Sequence, residues 1–170
     1  MKMIICFVFL IAFIGCENKS AWDKKYPSLV NKKIRYTDNL VPYNTEDLEF
    51  ISKSGNKTLI NVVTASCSPC VGELIYWEDI VDNYIDQDVN LVFIAQGKTD
   101  YYFEKSVLEK YKLDIPIFLD EDSSFVKTNE LLPALYERTM VLNEDEEIVF
   151  IGSPYYDPSK FSAFLQIINN

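Results

Sequence analysis

Two cysteines stand two residues apart in the run Ala65-Ser66-Cys67-Ser68-Pro69-Cys70. Cysteine reacts as the thiolate, and two sulfurs at this spacing reach one another with little backbone movement. Such a pair serves as a dithiol/disulfide couple, in which one sulfur attacks a partner disulfide and the other resolves the mixed disulfide, or as a short static disulfide. A structural zinc site needs about four ligands. The chain has four cysteines in all, at 6, 16, 67 and 70, and no histidine. Cys6 and Cys16 belong to the N-terminal stretch, so no second pair exists and neither metal nor cofactor is expected. The missing histidine also removes His-dependent triads.

Position decides whether such sulfurs are reactive. Residues 58–64, Thr-Leu-Ile-Asn-Val-Val-Thr, are apolar and β-branched, as a buried central strand requires. They run directly into the cysteine motif. Apolar residues then recur at Val71, Leu74, Ile75, Val81, Tyr84 and Ile85, which is helical spacing. Pro69 falls in the first turn, where a missing N–H costs nothing. Cys67 is therefore expected at the cap, exposed, where unpaired N–H groups and the helix dipole favour a thiolate, and Cys70 one turn deeper. Ser66, Ser68 and Pro69 complete the loop. No Lys or Arg occurs between Lys57 and Lys98, whereas Glu73, Glu78 and Asp79 lie on the helix, so local charge opposes the thiolate.

The remaining pattern supplies the frame. Residues 29–36 read as a short strand or extended segment, and Asn44 to Asp47 as the cap of a short helix ending near Gly55. Residues 89–95 form a second buried strand. Residues 100–111 form a helix with Phe103, Val107, Leu108 and Tyr111 on one face. Residues 115–119 form a short strand and 123–129 a helical turn. Residues 139–142 and 148–151 make a hairpin around a polar turn. Asp157-Pro158 starts a terminal helix with Phe161, Phe164, Leu165 and Ile168 inward. Strand–helix alternation implies parallel strands with right-handed crossovers, to which the hairpin adds antiparallel ones. The fold class is α/β, a central mixed sheet flanked by helices.

Met1-Lys2 followed by fourteen uncharged residues is too short for the roughly 20 needed to span a bilayer and fits a signal sequence. Its end, Phe13-Ile14-Gly15-Cys16, resembles the lipobox of bacterial lipoproteins, which implies lipidation at Cys16. Residues 1–15 are then a signal peptide, 16–28 a tether with Trp22 and Tyr26 near the domain, and 29–170 one domain. This places the protein in the cell envelope, held to a membrane by a lipid anchor and facing the periplasm. The 170 residues carry 16 basic and 26 acidic side chains, a net charge of −10, which argues against a nucleic-acid partner. Apolar residues at 48% and charged ones at 25% are ordinary globular values and exclude a disordered chain.

The stretch 61–74, Asn-Val-Val-Thr-Ala-Ser-Cys-Ser-Pro-Cys-Val-Gly-Glu-Leu, resembles the strand-to-helix segment of thioredoxin-like proteins, especially the membrane-tethered TlpA/redoxin group. Ser66 stands where that group usually has tryptophan, and Glu73 matches a glutamate often found three residues after the second cysteine. Residues 111–126 resemble the group's added strand, with Pro116 and Asp120 in a P-x-x-x-D pattern. Residues 138–154 resemble its hairpin. The whole is similar to redoxin lipoproteins of the Bacteroidetes. The resemblance implies a thioredoxin-like fold over about residues 29–168, with Arg138 and Thr139 near Cys67 and Arg138 supplying the cation the motif lacks. The group's cis-proline before the first hairpin strand has no counterpart: its place falls near Glu137-Arg138, away from Pro116 and Pro133.

The implied activity is an extracytoplasmic thiol–disulfide oxidoreductase acting through Cys67 and Cys70 and a mixed disulfide. Its expected partners are disulfide-containing exported proteins or a membrane thiol donor. The alternatives are a non-catalytic binding lipoprotein, sustained by the missing proline and the unhelpful charge, and a peroxiredoxin-like peroxide reductase, suggested by Thr64 three residues before Cys67.

Overall fold

The computed structural model describes residues 28–45, 56–131 and 139–170. Six strands form one mixed sheet in the order β1-β4-β3-β2-β5-β6. β2 (Thr58–Thr64) lies in its middle, parallel to β3 (Asn90–Gln96) and antiparallel to β5 (Thr139–Leu142). β4 (Ile117–Asp120) runs parallel to β3, and the two-residue β1 (Val41–Pro42) closes that edge antiparallel. β5 and β6 (Ile148–Ile151) form the hairpin at the other edge. The crossovers carry α1 (Ser68–Tyr84), α2 (Tyr101–Glu104) and, after β4, the single-turn α3 (Ser124–Thr128); α4 (Phe161–Ile168) ends the chain.

Strand residues alternate between the faces of a sheet. Leu59 and Val63 of β2 join one apolar cluster with Cys70, Leu74 and Trp77 of α1, Phe103 of α2, and Phe164 and Ile168 of α4. Ile60 and Val62 join the opposite cluster with Leu29, Ile34, Phe118, Phe125 and Met140. β2 is therefore buried on both faces, as its unbroken β-branched run requires. Trp77 is the hub of the first layer, with ring centroids 5.3 Å from Phe164 and 6.2 Å from Phe93.

Two expectations are corrected. The buried face of α1 runs Cys70, Val71, Glu73, Leu74, Trp77 and Ile80, so it is rotated from the predicted stripe; Tyr84 is exposed and rests edge-on against Phe161. The helix after β3 changes register: α2 continues as a π-helix over Lys105–Lys110, with the Tyr111 N–H donating to the Ser106 carbonyl five residues back. The wider turn keeps Phe103 and Val107 buried, adds Ser106 and leaves Tyr111 exposed; the Leu108 side chain lies outside the described residues. The segment around Lys33 is extended but meets β6 only through an isolated bridge to Glu147, backed by the Asn31 and Ile34 N–H groups donating to Ile148 and Glu146 carbonyls.

The proposed helix after Asn44 lies mostly outside the described residues, but Asn44 itself has a different task. Its amide donates to the Leu113 and Ile115 carbonyls, each at 2.9 Å, and its oxygen accepts from the Ile117 N–H at 2.8 Å. The Glu78 carboxylate accepts from the Asp114 and Ile115 N–H groups on the same loop. Together they pin the entry to β4. Asn44→Ala strips three partners from that loop and is expected to lower the unfolding free energy by about 2 kcal/mol; an unchanged urea midpoint would contradict this account of how β4 is held.

Candidate active site

The strand-to-helix turn is built by backbone. The Ala65 N–H donates to the Gln96 carbonyl at 2.9 Å, carrying the β2–β3 ladder one residue past the strand. The Cys67 N–H then donates to the Thr64 carbonyl at 3.1 Å, which reverses the chain. Cys67 is the N-cap of α1 in extended conformation, and its carbonyl accepts from the Cys70 and Val71 N–H groups. No side chain caps this helix, and its first turn holds no acid. The electropositive end of a 17-residue helix is thus presented to the Cys67 sulfur.

Cys67 and Cys70 form a disulfide with Cα atoms 5.3 Å apart. The two sulfurs differ in setting. Cys67 is half-buried and framed by the exposed Ser66, Ser68 and Pro69, whereas Cys70 is fully enclosed in the core beside Val63, Val71 and Leu74. A partner disulfide therefore has access to Cys67 alone.

Beneath the motif lies a polar cluster that the sequence reading did not assemble. Asn61 shares the α1-facing side of β2 with Leu59 and Val63 and is completely buried. Its amide donates to the Glu73 carboxyl at 2.9 Å and to the Thr139 hydroxyl at 2.8 Å. The Ser153 hydroxyl donates to the same Glu73 oxygen at 3.2 Å, and the polar side chain of Tyr156 also favours the carboxylate. Trp77 Nε1 makes no well-formed hydrogen bond, yet its dipole also favours the carboxylate. The signal available in the sequence was Asn61 itself, a polar residue inside a strand buried on both sides, which must find a partner.

Glu73 therefore does not act as a surface charge opposing the thiolate. It is 3% exposed and lies one helical turn beyond Cys70 on the same side of α1. Burial pushes its carboxyl above the ordinary carboxylate range, and the polar groups of Asn61, Ser153, Trp77 and Tyr156 around it pull it part of the way back. Of the other three acids on α1, Glu78 is spent on the β4 loop, and Asp79 and Asp82 stand exposed. Thr139, expected beside Cys67, opens β5 fully buried with its hydroxyl tied through Asn61 to Glu73. Arg138 and Cys16 lie outside the described residues, as does Pro133.

A carboxyl with a raised pKa holds its proton more tightly in the folded chain than in the unfolded one. Its contribution to stability is complete below the ordinary carboxylate value of about 4.3 and is lost as pH rises through the raised value. The unfolding free energy is expected to fall across that window in wild type and to stay level in Glu73→Gln. Urea titrations at a series of pH values measure this, and a glutamine variant retaining the full wild-type slope would refute it.

Comparison with known proteins agrees with this geometry. The Redoxin family profile matches residues 30–168. The chain is 22% identical over 123 residues to the thiol-disulfide oxidoreductase ResA of Halalkalibacterium halodurans, covering 72% of this chain and 68% of that protein. Among solved structures it is similar to StoA from Bacillus subtilis, with 25% identity, a TM-score of 0.51, and coverage of 61% of this chain and 77% of that one. It also resembles the thioredoxin domain of a thiol-disulfide oxidoreductase from Bacteroides vulgatus, with 14% identity, a TM-score of 0.56, and coverage of 82% and 98%. With its strand, C-x-x-C turn and closing hairpin all inside the matched span, the chain belongs to the Redoxin family and has a thioredoxin-like fold.

Proposed function

We propose that the protein is an extracytoplasmic thiol–disulfide oxidoreductase, lipid-anchored through Cys16, that exchanges disulfides with exported proteins through Cys67 and Cys70. The observation that carries this reading is the asymmetry of the pair: an accessible sulfur at an uncapped helix N-terminus, bonded to a sulfur sealed in the core. The relatives named as thiol-disulfide oxidoreductases support the same reaction class.

In the reducing direction the Cys67 thiolate attacks one sulfur of the partner's disulfide. A Cys67–partner bond forms, the partner's S–S bond breaks, and the departing partner thiolate takes up a proton from water. The Cys70 thiol then gives its proton to the Glu73 carboxylate, and the Cys70 thiolate attacks Cys67 Sγ. The Cys67–Cys70 disulfide forms, the second partner thiolate leaves, and two electrons have passed to the partner. The disulfide seen here is the product state. A dithiol donor on the membrane side returns it to the reduced form.

Helix N–H groups stabilise the Cys67 thiolate before attack, while Cys70, deprived of water, needs a buried acceptor for its proton. Glu73 follows Cys70 by one helical turn on the buried face of α1, and its raised pKa brings it closer to that of a thiol. Reduction of insulin by dithiothreitol, catalysed by the protein, tests the reading. Catalysis should be lost in both Cys67→Ser and Cys70→Ser, and Cys70→Ser alone should accumulate a covalent adduct with the substrate. Wild-type protein without catalysis would overturn the assignment, and peroxide consumption surviving in Cys70→Ser would replace it with peroxide reduction.

A further inference from the structure

The turn that follows β6 is shaped to reach the buried carboxyl. Gly152 takes a φ of +148°, which side chains rarely adopt, and its N–H donates to the Thr139 carbonyl at 2.9 Å. The Asp157 N–H donates back to the Ser153 carbonyl at 2.9 Å, closing residues 153–157 into one turn. Tyr155 clamps this turn on α1. Its hydroxyl would stand in tight contact, 3.3 Å, with a Cβ added at Gly72, and its ring stands 5.2 Å from that of Tyr76. Gly72 and Tyr76 bracket Glu73 on the helix, so the clamp sets Ser153 and Tyr156 over its carboxyl. Ser153 is 1% exposed, and the Tyr156 ring is held edge-on by Tyr155 at 4.7 Å.

We propose that Ser153 and Tyr156 are positioning residues for Glu73, fixing its carboxyl to receive the proton of Cys70 as the mixed disulfide resolves. This rests on the disulfide-exchange reading above. The chemistry of the two hydroxyls suits the task. Asn61 turns only its amide N–H groups to Glu73 and Thr139. Hydroxyls both donate and accept, so Ser153 keeps its bond to Glu73 whether it is carboxylate or acid, and the Tyr156 hydroxyl suits either state as well. The carboxyl can then change protonation state without leaving its place. Of the groups that act on its charge, only Tyr156 is titratable, and Cys70 lies one turn before it on the buried face of α1. Asn61 of β2, Thr139 of β5, Ser153 and Trp77 are neutral.

The test uses the full chain with Ser153→Ala, Tyr156→Phe and the double variant. Tyr156→Phe keeps the edge-on ring contact, so it separates the hydroxyl from packing. Two readouts are taken: the Glu73 carboxyl titration by carbon NMR, and the pH profile of insulin reduction. Each lost donor is expected to raise the Glu73 midpoint by about one pH unit. The acid limb of the profile should move upward with it, and turnover near pH 7 should drop about tenfold in the double variant. An active wild type, with both titration and profile unmoved in the folded double variant, overturns the positioning role alone. A wild type inactive in exchange, whatever the titration does, overturns the oxidoreductase reading and the proton-transfer role with it.

Discussion

The structure depends on one constraint: a strand buried on both faces must become a helix within a few residues. β2 ends at Thr64, and the Cys67 N–H bonded to the Thr64 carbonyl turns the chain so abruptly that the next carbonyl starts α1. The first residue of the turn stays at the surface, and the residue three further on is already inside the core. Two identical side chains thereby receive opposite environments, one facing open N–H groups and solvent, the other facing Val63 and Leu74. Unequal sulfurs are what a stepwise exchange needs, since the attacking thiol must be reachable and the resolving thiol protected.

Burial creates the second requirement. A thiol sealed from water has no solvent to take its proton, and an isolated buried carboxylate is itself costly. The cluster around Glu73 meets both demands by drawing polar groups from β2, α1, β5 and the turn after β6. These elements are far apart in the chain; Asn61 and Thr139 are separated by 78 positions and Glu73 and Ser153 by 80. The hairpin and the closing turn therefore do more than complete the sheet. They bring the Ser153 hydroxyl to the Glu73 carboxyl and the Thr139 hydroxyl to the Asn61 amide that bonds it.

Local pattern carried much of the frame. The β-branched run of β2 and the polar turn between β5 and β6 matched the observed strands because strand preference and burial there point the same way. Pattern failed where packing changed a register. The π-helix over Lys105–Lys110 adds a residue per turn, so Tyr111, in step with Phe103 and Val107 at α-helical spacing, comes out to solvent. On α1, Tyr84 lies near the helix end beyond the reach of the sheet, while Trp77 takes the central place in the core.

By itself the sequence determined the C-x-x-C pair, the strand-to-helix setting of its two cysteines and the α/β order of elements, because each depends on residues within a few positions of one another. The tertiary structure alone decided that Glu73 is a buried partner rather than a surface charge, and that Asn61, Thr139, Ser153 and Tyr156 meet around it. Those contacts join distant segments through the sheet register and one glycine-dependent turn, and a carboxyl's environment is set by what folds over it rather than by its neighbours along the chain.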